Sequence, residues 1–307
     1  MWHLGIDIGG SSAKVSLLDD DAIVSSTRHD LPDRSSDPSA NRAVRIDLVR
    51  RAIAVARGDG GTDLTVTVAT PGIVDAAHRR IVSLPAKLAG LEGVDWTESL
   101  DRDDGARHAP TITVLNDAHA AVLGEACLGA GRGADDIVML TLGTGVGGGV
   151  IQGGRLLEGK NRRAGHLGHI SLDPYGLPSV FPTPGSLEWH VGDAYVGVRT
   201  AGRYASNEEL VAAVRRGEAA ATTAWRRMVR ALAVGVASLV NVFDPELVIL
   251  GGGLAAAGAP LFEPLAIELD EVSWRPNGLV VPVVRAALGP FSGSVGAALF
   301  GRERSMQ

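Results

Sequence analysis

The chain has 307 residues, 45% of them hydrophobic, a formal net charge of −6 and a single cysteine, with a sequence pI near 5.8. That length suits about two domains with ample cores, and an acidic balance with no long Lys/Arg run argues against a nucleic-acid-binding surface. Cys127 alone excludes an internal disulfide and a thiolate zinc cage, and no stretch approaches about eighteen uninterrupted apolar residues. No basic-then-apolar leader opens the chain, so a cytoplasmic protein with a small-molecule partner is expected. Cys127 itself reads as a small apolar residue on a helix.

Residues 4–8, 15–18 and 22–25 are short apolar runs that predict an opening β-meander, its last two strands joined by Asp19-Asp20-Asp21. The turn Gly9-Gly10-Ser11-Ser12 lies between two apolar segments, so it reads as a hairpin turn rather than the strand-to-helix turn of a Walker loop. Glycine lets backbone N–H groups come close to an anion, and the Ser11 and Ser12 hydroxyls add donors, which suits a polyphosphate. Asp7 either holds a magnesium-bound water or donor phosphate, or is a turn aspartate satisfying backbone donors. Lys14 either complements phosphate charge or points to solvent. Residues 30–41 are rich in Pro, Ser, Asp, Arg and Asn and predict an exposed loop; residues 43–56 then carry apolar side chains at helical spacing.

Residues 64–69 predict a strand ending in Thr70-Pro71-Gly72, and 111–115 another ending in Asn116-Asp117. Strands alternating with a helix make this part α/β. Open α/β sheets expose ligand-binding residues at such strand ends. A carboxylate at Asp117 can accept the proton of an attacking hydroxyl that Asn116 orients, and phosphoryl transfer asks for little more than one base, in-line positioning and charge stabilisation. The competing reading is an Asn-Asp pair that only caps a helix starting at Ala118; the placement between two phosphate-type loops favours chemistry.

Residues 118–128 are alanine-rich and helix-favouring, closing at Gly129 and Gly131. Residues 137–142, the turn Gly143-Thr144-Gly145, the apolar pair Val150-Ile151 and the turn Gly153-Gly154 then repeat the opening pattern. This is an internal duplication, which predicts two related domains facing a shared cleft. His166 and His169, three apart, suit metal ligation or one polar pocket; no carboxylate or cysteine set completes a metal site, so hydrogen bonding to a sugar or within the structure is the reading. Glu188 either accepts hydroxyl hydrogen bonds or is a surface glutamate near a helix start. Residues 207–214 and 219–241 predict helices, 247–250 a buried strand, and 293–300 a small-residue helix. Gly251-Gly252-Gly253 after the strand suits the wall of an adenosine pocket.

In order, Asp7-Ile8-Gly9-Gly10-Ser11, Thr70-Pro71-Gly72 with Asp75, Asn116-Asp117 with Glu125, the glycine run of residues 142–149, Gly165-His166-Leu167-Gly168-His169, and Asp244-Pro245-Glu246 before Gly251 resemble the ROK family of sugar kinases and repressors over nearly the whole chain. The resemblance implies an actin-like, hexokinase-like fold of two α/β lobes. Residues 1–115, completed by 293–307, would form the small lobe and 116–292 the large one, as a homodimer with ATP and Mg2+ in the cleft. It implies that Asp117 activates a sugar 6-hydroxyl, that Asn116, His169, Glu188 and Gly72 hold the sugar, and that Gly9, Gly10, Ser11, Ser12, Gly143, Thr144, Gly145, Gly251, Gly252 and Gly253 hold the nucleotide, with Mg2+ through Asp7.

Departures from the family pattern carry the substrate expectation. His166 stands where the family has a glutamate, a variant resembling bacterial N-acetylmannosamine kinases. An imidazole does not replace a carboxylate acceptor on equal terms, so an amino-hexose such as N-acetylmannosamine or kanosamine is expected ahead of glucose. Lys87 falls where many relatives place a sugar-contacting asparagine. The zinc-binding segment of many relatives appears with Ser179, Phe181 and Ser186 and without its cysteines, so no structural zinc is expected, Phe181, Pro182 and Pro184 stiffening the loop instead. The Ser11-Ser12 variant also resembles polyphosphate glucokinases of the family, but beyond Arg162-Arg163 there is no basic run, and ATP is the expected donor. A glucokinase using ATP or polyphosphate is the alternative. The family's repressors carry a helix-turn-helix before the first glycine loop, for which the six residues before Asp7 leave no room; a non-catalytic sugar sensor would need Asp117 to be idle.

Overall fold

The computed structural model describes residues 1–32, 37–58, 63–83, 88–100, 110 and 112–306. Two compact units emerge. Met1–Gly133, Leu156–Ala164 and Ala287–Gln307 form the first, and Ala134–Arg155 with Gly165–Ala286 the second.

The first unit opens with β1 (Trp2–Ile8), β2 (Ser12–Asp19), β3 (Ala22–Asp30) and α1 (Pro38–Gly58), followed by β4 (Leu64–Thr70), the short pair β5 (Ile73–Val74) and β6 (Ile81–Ser83), α2 (Trp96–Leu100), β7 (Ile112–Asn116) and α3 (Asp117–Leu128). Its five-stranded sheet runs β3-β2-β1-β4-β7. β1, β4 and β7 are parallel and the hairpin strands antiparallel. Side chains alternate across a strand. Leu4, Ile6 and Ile8 of β1 therefore share one face, in a core with Leu48, Val49 and Ile53 of α1 and Trp96 of α2.

The second unit contains β8 (Ile137–Leu142), β9 (Val146–Gln152), β10 (Arg155–Leu156), α4 (Leu187–Val191), α5 (Val196–Arg199), α6 (Asn207–Arg215), α7 (Ala219–Phe243), β11 (Leu247–Gly251), α8 (Ala259–Val272) and β12 (Val283–Arg285). The sheet order is β10-β9-β8-β11-β12, with β8, β11 and β12 parallel and β8-β9 antiparallel. Each sheet thus takes its five strands in the order third, second, first, fourth, fifth, and the duplication read from the two glycine turns is a duplication of topology. The last helix, α9 (Ser292–Ser305), returns to the first unit.

α9 lies against the β1 face that bears Gly5, and a Cβ on Gly5 would collide with the Ser294 carbonyl. Gly5 therefore serves helix packing and not anion binding. Helices α3 and α9 meet backbone to backbone: a side chain on Gly296 would collide with the Ala120 carbonyl, and one on Gly124 with that of Ser292. Glu125, fully buried, ties the same joint. Its carboxylate accepts from the backbone N–H groups of Ala130, Ala287 and Leu288, each at 2.9 Å, and from the Ser292 hydroxyl at 2.6 Å. Cys127 sits half-buried on α3.

Several boundaries differ from the sequence reading. β3 extends through Asp30, five residues past the predicted end, because it pairs with β2 down to Ser12 opposite Asp30; its outward residues are polar and leave no apolar signal. α1 begins at Pro38, inside the predicted loop, where Asp37 Oδ1 accepts from the Ser39 N–H at 2.8 Å. α8, with Pro264 inside it, and the three-residue β12 are not among the predicted elements, although Leu261, Leu265 and Leu269 recur at helical spacing and residues 279–284 are mostly apolar around Pro282. Among the described residues no helix is long and apolar enough to cross a membrane.

Candidate functional site

In the first unit, the β1-β2 turn is a hairpin, as its flanks predict. The Gly9 N–H donates to the Ser12 carbonyl at 3.0 Å, and the Leu31 N–H to the Ser11 carbonyl at 2.9 Å. Gly9 and Gly10 form the turn with Ser11 exposed, whereas Ser12 is buried as the first residue of β2. Asp7 is the penultimate residue of β1, on the face opposite Ile6 and Ile8, with 16% of its side chain exposed, and Lys14 Nζ stands 3.9 Å from Asp7 Oδ2. Lys14 is 19% exposed, so it turns to the carboxylate and not to solvent. Burial pushes the Asp7 carboxyl up to about 7; Lys14 opposes the shift and the charge of Asp117 adds to it.

Asn116 closes β7 as the N-cap of α3. Its Oδ1 accepts from the N–H groups of Ala118 at 2.9 Å and His119 at 3.1 Å, and its Nδ2 donates to the Gly72 carbonyl at 3.0 Å. The cap is therefore real, and the same amide also ties down Gly72, whose φ of 105° suits the residue it is. Asp117 follows as the first helical residue, half-buried, one oxygen accepting from the Ala118 N–H at 2.9 Å. A helix N-terminus favours negative charge, which suits a carboxylate at this position. Asp7, with Lys14 beside it, is an oxygen donor that suits a divalent cation keeping its water shell.

The second unit holds the other predicted residues. Its turn at residues 143–145 joins β8 to β9, and the segment after α4 clasps it: the Asp193 N–H donates to the Gly143 carbonyl and the Ala194 N–H to that of Thr144, both at 3.0 Å. Gly252, at φ 81°, packs its backbone on Leu142, so residues 251–253 lie beside that turn. The glycines at 147–149 are different. They belong to β9, and a Cβ on Gly148 would press on Leu167 and the Gly165 carbonyl, so this part of the run serves close packing of the histidine segment.

His166 and His169 bracket one 3-10 turn, their ring centroids 6.4 Å apart, and His169 meets Phe181 edge-on at 4.7 Å. Glu188, in the first turn of α4 behind the N-cap Ser186, is 4% exposed and not a surface residue. Its Oε2 accepts from the Val146 N–H at 3.0 Å, which fixes the carboxylate at the start of β9. Ser186 Oγ donates to Ser179 Oγ at 3.0 Å. Hydroxyls at 179 and 186 with a phenyl ring at 181 do not fit zinc's preference for thiolate and imidazole. Among the described residues no group of three or more His, Cys, Asp or Glu is placed to hold a metal ion. Lys87 lies outside the described residues.

Sequence reasoning missed four neighbours of these groups. Arg45, 2% exposed on α1, donates from Nη2 to the Gly10 carbonyl at 3.3 Å beneath the first turn. Its signal was a polar residue at a core position, in register with Asn41, Leu48 and Val49. Tyr195 stands beside Glu188; burial, then that carboxylate, push its phenol up. His78 and Glu158 pair within the first unit, His78 Nε2 lying 3.2 Å from Glu158 Oε1.

Comparisons with known proteins place the chain in a family. The model of the ROK family matches residues 3–304. A glucokinase of Thermotoga maritima is 32% identical over 98% of this chain and 97% of its own, and an N-acetylmannosamine kinase of Escherichia coli is 29% identical over 97% and 98%. The crystal structure of a ROK glucokinase from Streptomyces griseus with glucose and AMPPNP superposes with a TM-score of 0.77 at 27% identity, covering 99% of this chain and 100% of that one.

Proposed function

Since the chain belongs to the ROK family and is a sugar kinase of actin-like, hexokinase-like fold, we propose that it transfers the terminal phosphoryl group of ATP to the 6-hydroxyl of a hexose, an amino-hexose in preference, with Asp117 as general base. The observation that carries the base is the Asn116-Asp117 corner: a carboxylate on the first turn of α3, its neighbour anchored by three hydrogen bonds, in the same unit as the Asp7 turn. The sugar oxygen attacks the terminal phosphorus as its proton passes to Asp117. The bond from phosphorus to the bridging oxygen breaks and its electron pair leaves on the diphosphate.

Gly10, Ser11 and the turn at 143–145 offer backbone and hydroxyl donors to the phosphates, Gly9 shapes the first turn, and Gly251, Gly252 and Gly253 offer the surface beside the second. Asp7 would hold magnesium through water, and the bound cation would neutralise charge on the transferring phosphoryl group. Asn116, His166, His169, Glu188 and Gly72 bind the sugar. At position 166 an imidazole replaces the family's carboxylate, and this change supports an amino sugar of the N-acetylmannosamine or kanosamine kind over glucose. The active form is a homodimer, and no zinc is needed.

The test is an ADP-release assay over hexoses and amino-hexoses. The expected result is highest kcat/KM on an amino-hexose and a loss of roughly 10²-fold or more in kcat for Asp117→Asn. Highest kcat/KM on glucose would overturn the preference, and wild-type turnover by Asp117→Asn would overturn the base.

A further inference from the structure

The loop that leaves the second sheet after Leu156 crosses into the first unit, and it is fastened there by groups with no part in the chemistry above. His78, 1% exposed, pairs with β7 twice: its carbonyl accepts from the Val114 N–H at 2.7 Å, and its Nδ1 donates to the Val114 carbonyl at 3.0 Å. The other ring nitrogen is 3.2 Å from Glu158 Oε1. The second oxygen of Glu158 takes Arg162 Nη1, and Arg162 Nη2 donates to the Ala76 carbonyl at 3.2 Å. The loop closes on itself through the Ala164 N–H to the Glu158 carbonyl at 3.1 Å. The Ala164 carbonyl then accepts from His119 Nε2 at 2.8 Å.

These contacts grip the Asn116-Asp117 corner from both sides. Val114 is two residues before Asn116 on β7, and His119 is two residues after Asp117 on α3. His78 and Arg162 both hold left-handed backbone, each with φ 55°, a conformation non-glycine residues seldom adopt. Burial works against the Glu158 charge, yet His78 and Arg162 hold its carboxyl below the ordinary carboxylate range.

Resting on the sugar-kinase reading above, we propose that Glu158, with His78 and Arg162, is a positioning residue for Asp117: it locks the 156–164 loop against β7 and α3 and so fixes the base for in-line attack. Misalignment of a reacting group by about 1 Å costs up to roughly 10²-fold in rate. A side chain acting only through Asp117 has nothing left to align once that carboxylate is gone.

The experiment is a double-mutant cycle on the best sugar substrate, with wild type, Glu158→Ala, Glu158→Gln, Asp117→Asn and the Glu158→Ala/Asp117→Asn pair. Glu158→Ala is expected to lower kcat roughly tenfold with the KM for ATP unchanged within about twofold. Glu158→Gln, which keeps an oxygen acceptor in place, recovers most of it. In the Asp117→Asn background, Glu158→Ala brings no further loss, since residues that act as a unit are not additive. The same fold-loss in both backgrounds, or wild-type kcat in Glu158→Ala and Glu158→Gln alike, overturns the proposal. A wild-type enzyme that phosphorylates no sugar would overturn the functional reading itself, and the positioning role with it.

Discussion

Asp7 shows how much of a site's chemistry depends on surroundings that a sequence does not display. The residue and its glycines were legible as a turn beside a strand, but the sign of its electrostatics was not. Burial and Asp117 together raise the Asp7 carboxyl to about 7, and Lys14 lowers it only in part. A carboxyl whose folded pKa exceeds its unfolded value binds more protons in the native state, so it stabilises the fold below the unfolded value of about 4, and that contribution is lost as pH rises to about 7. Asp7→Asn, which cannot ionise, is expected to be more stable than wild type at pH 8, by up to about 4 kcal/mol, and equal to it near pH 4. Urea melts at the two pH values measure this. A variant less stable at pH 8 would show that the Asp7 charge is compensated in the fold. Glu188 teaches the same lesson from the other side: the Val146 N–H that holds it inside removes the surface reading, which the sequence alone left standing.

Strands were legible where one face is apolar and lost where neither face is, and α8 was lost although Leu261, Leu265 and Leu269 line one face, because Pro264 interrupts it. Most strands of both parallel cores follow from their apolar runs, whereas the outer part of β3 pairs through backbone groups that any sequence supplies, and Pro282 breaks the apolar run that leads into β12. The glycine-rich segments were the least transparent, because a glycine demanded by an anion and one demanded by a neighbouring helix look alike in a sequence. Gly9 and Gly10 are in a turn; Gly5, Gly124, Gly148 and Gly296 lie within strands and helices where another backbone or side chain presses close. The α3-α9 joint makes that distinction testable. Gly296→Val places a branched side chain against the Ala120 carbonyl and is expected to cost about 3 kcal/mol or more, roughly 10 °C in Tm. A thermal scan showing a shift under about 2 °C would mean that the two helices can separate at little cost.

At the scale of the whole molecule, the repeated strand order explains why two phosphate-type turns exist at all: each is the first hairpin of its own sheet, and the duplication delivers one to each unit. The chain does not, however, read as one unit after another. It enters the second unit after Gly133, revisits the first over residues 156–164, and ends in the first with α9. A chain truncated after Ala286 lacks the partner of Gly5 on β1 and of Glu125 and Gly124 on α3. Limited proteolysis of that chain is expected to cut within residues 1–133 under conditions where the full chain resists. Protection equal to the full chain would show that the first sheet stands without its last helix. The same joint sets a clock on synthesis. As the polypeptide leaves the ribosome, β1 and α3 emerge first yet must wait for almost the entire remaining message to be translated before α9 can cover them. The Glu125 carboxylate stays without the Ala287, Leu288 and Ser292 donors for all that time, so a sheet made well before α9 is finished only after it.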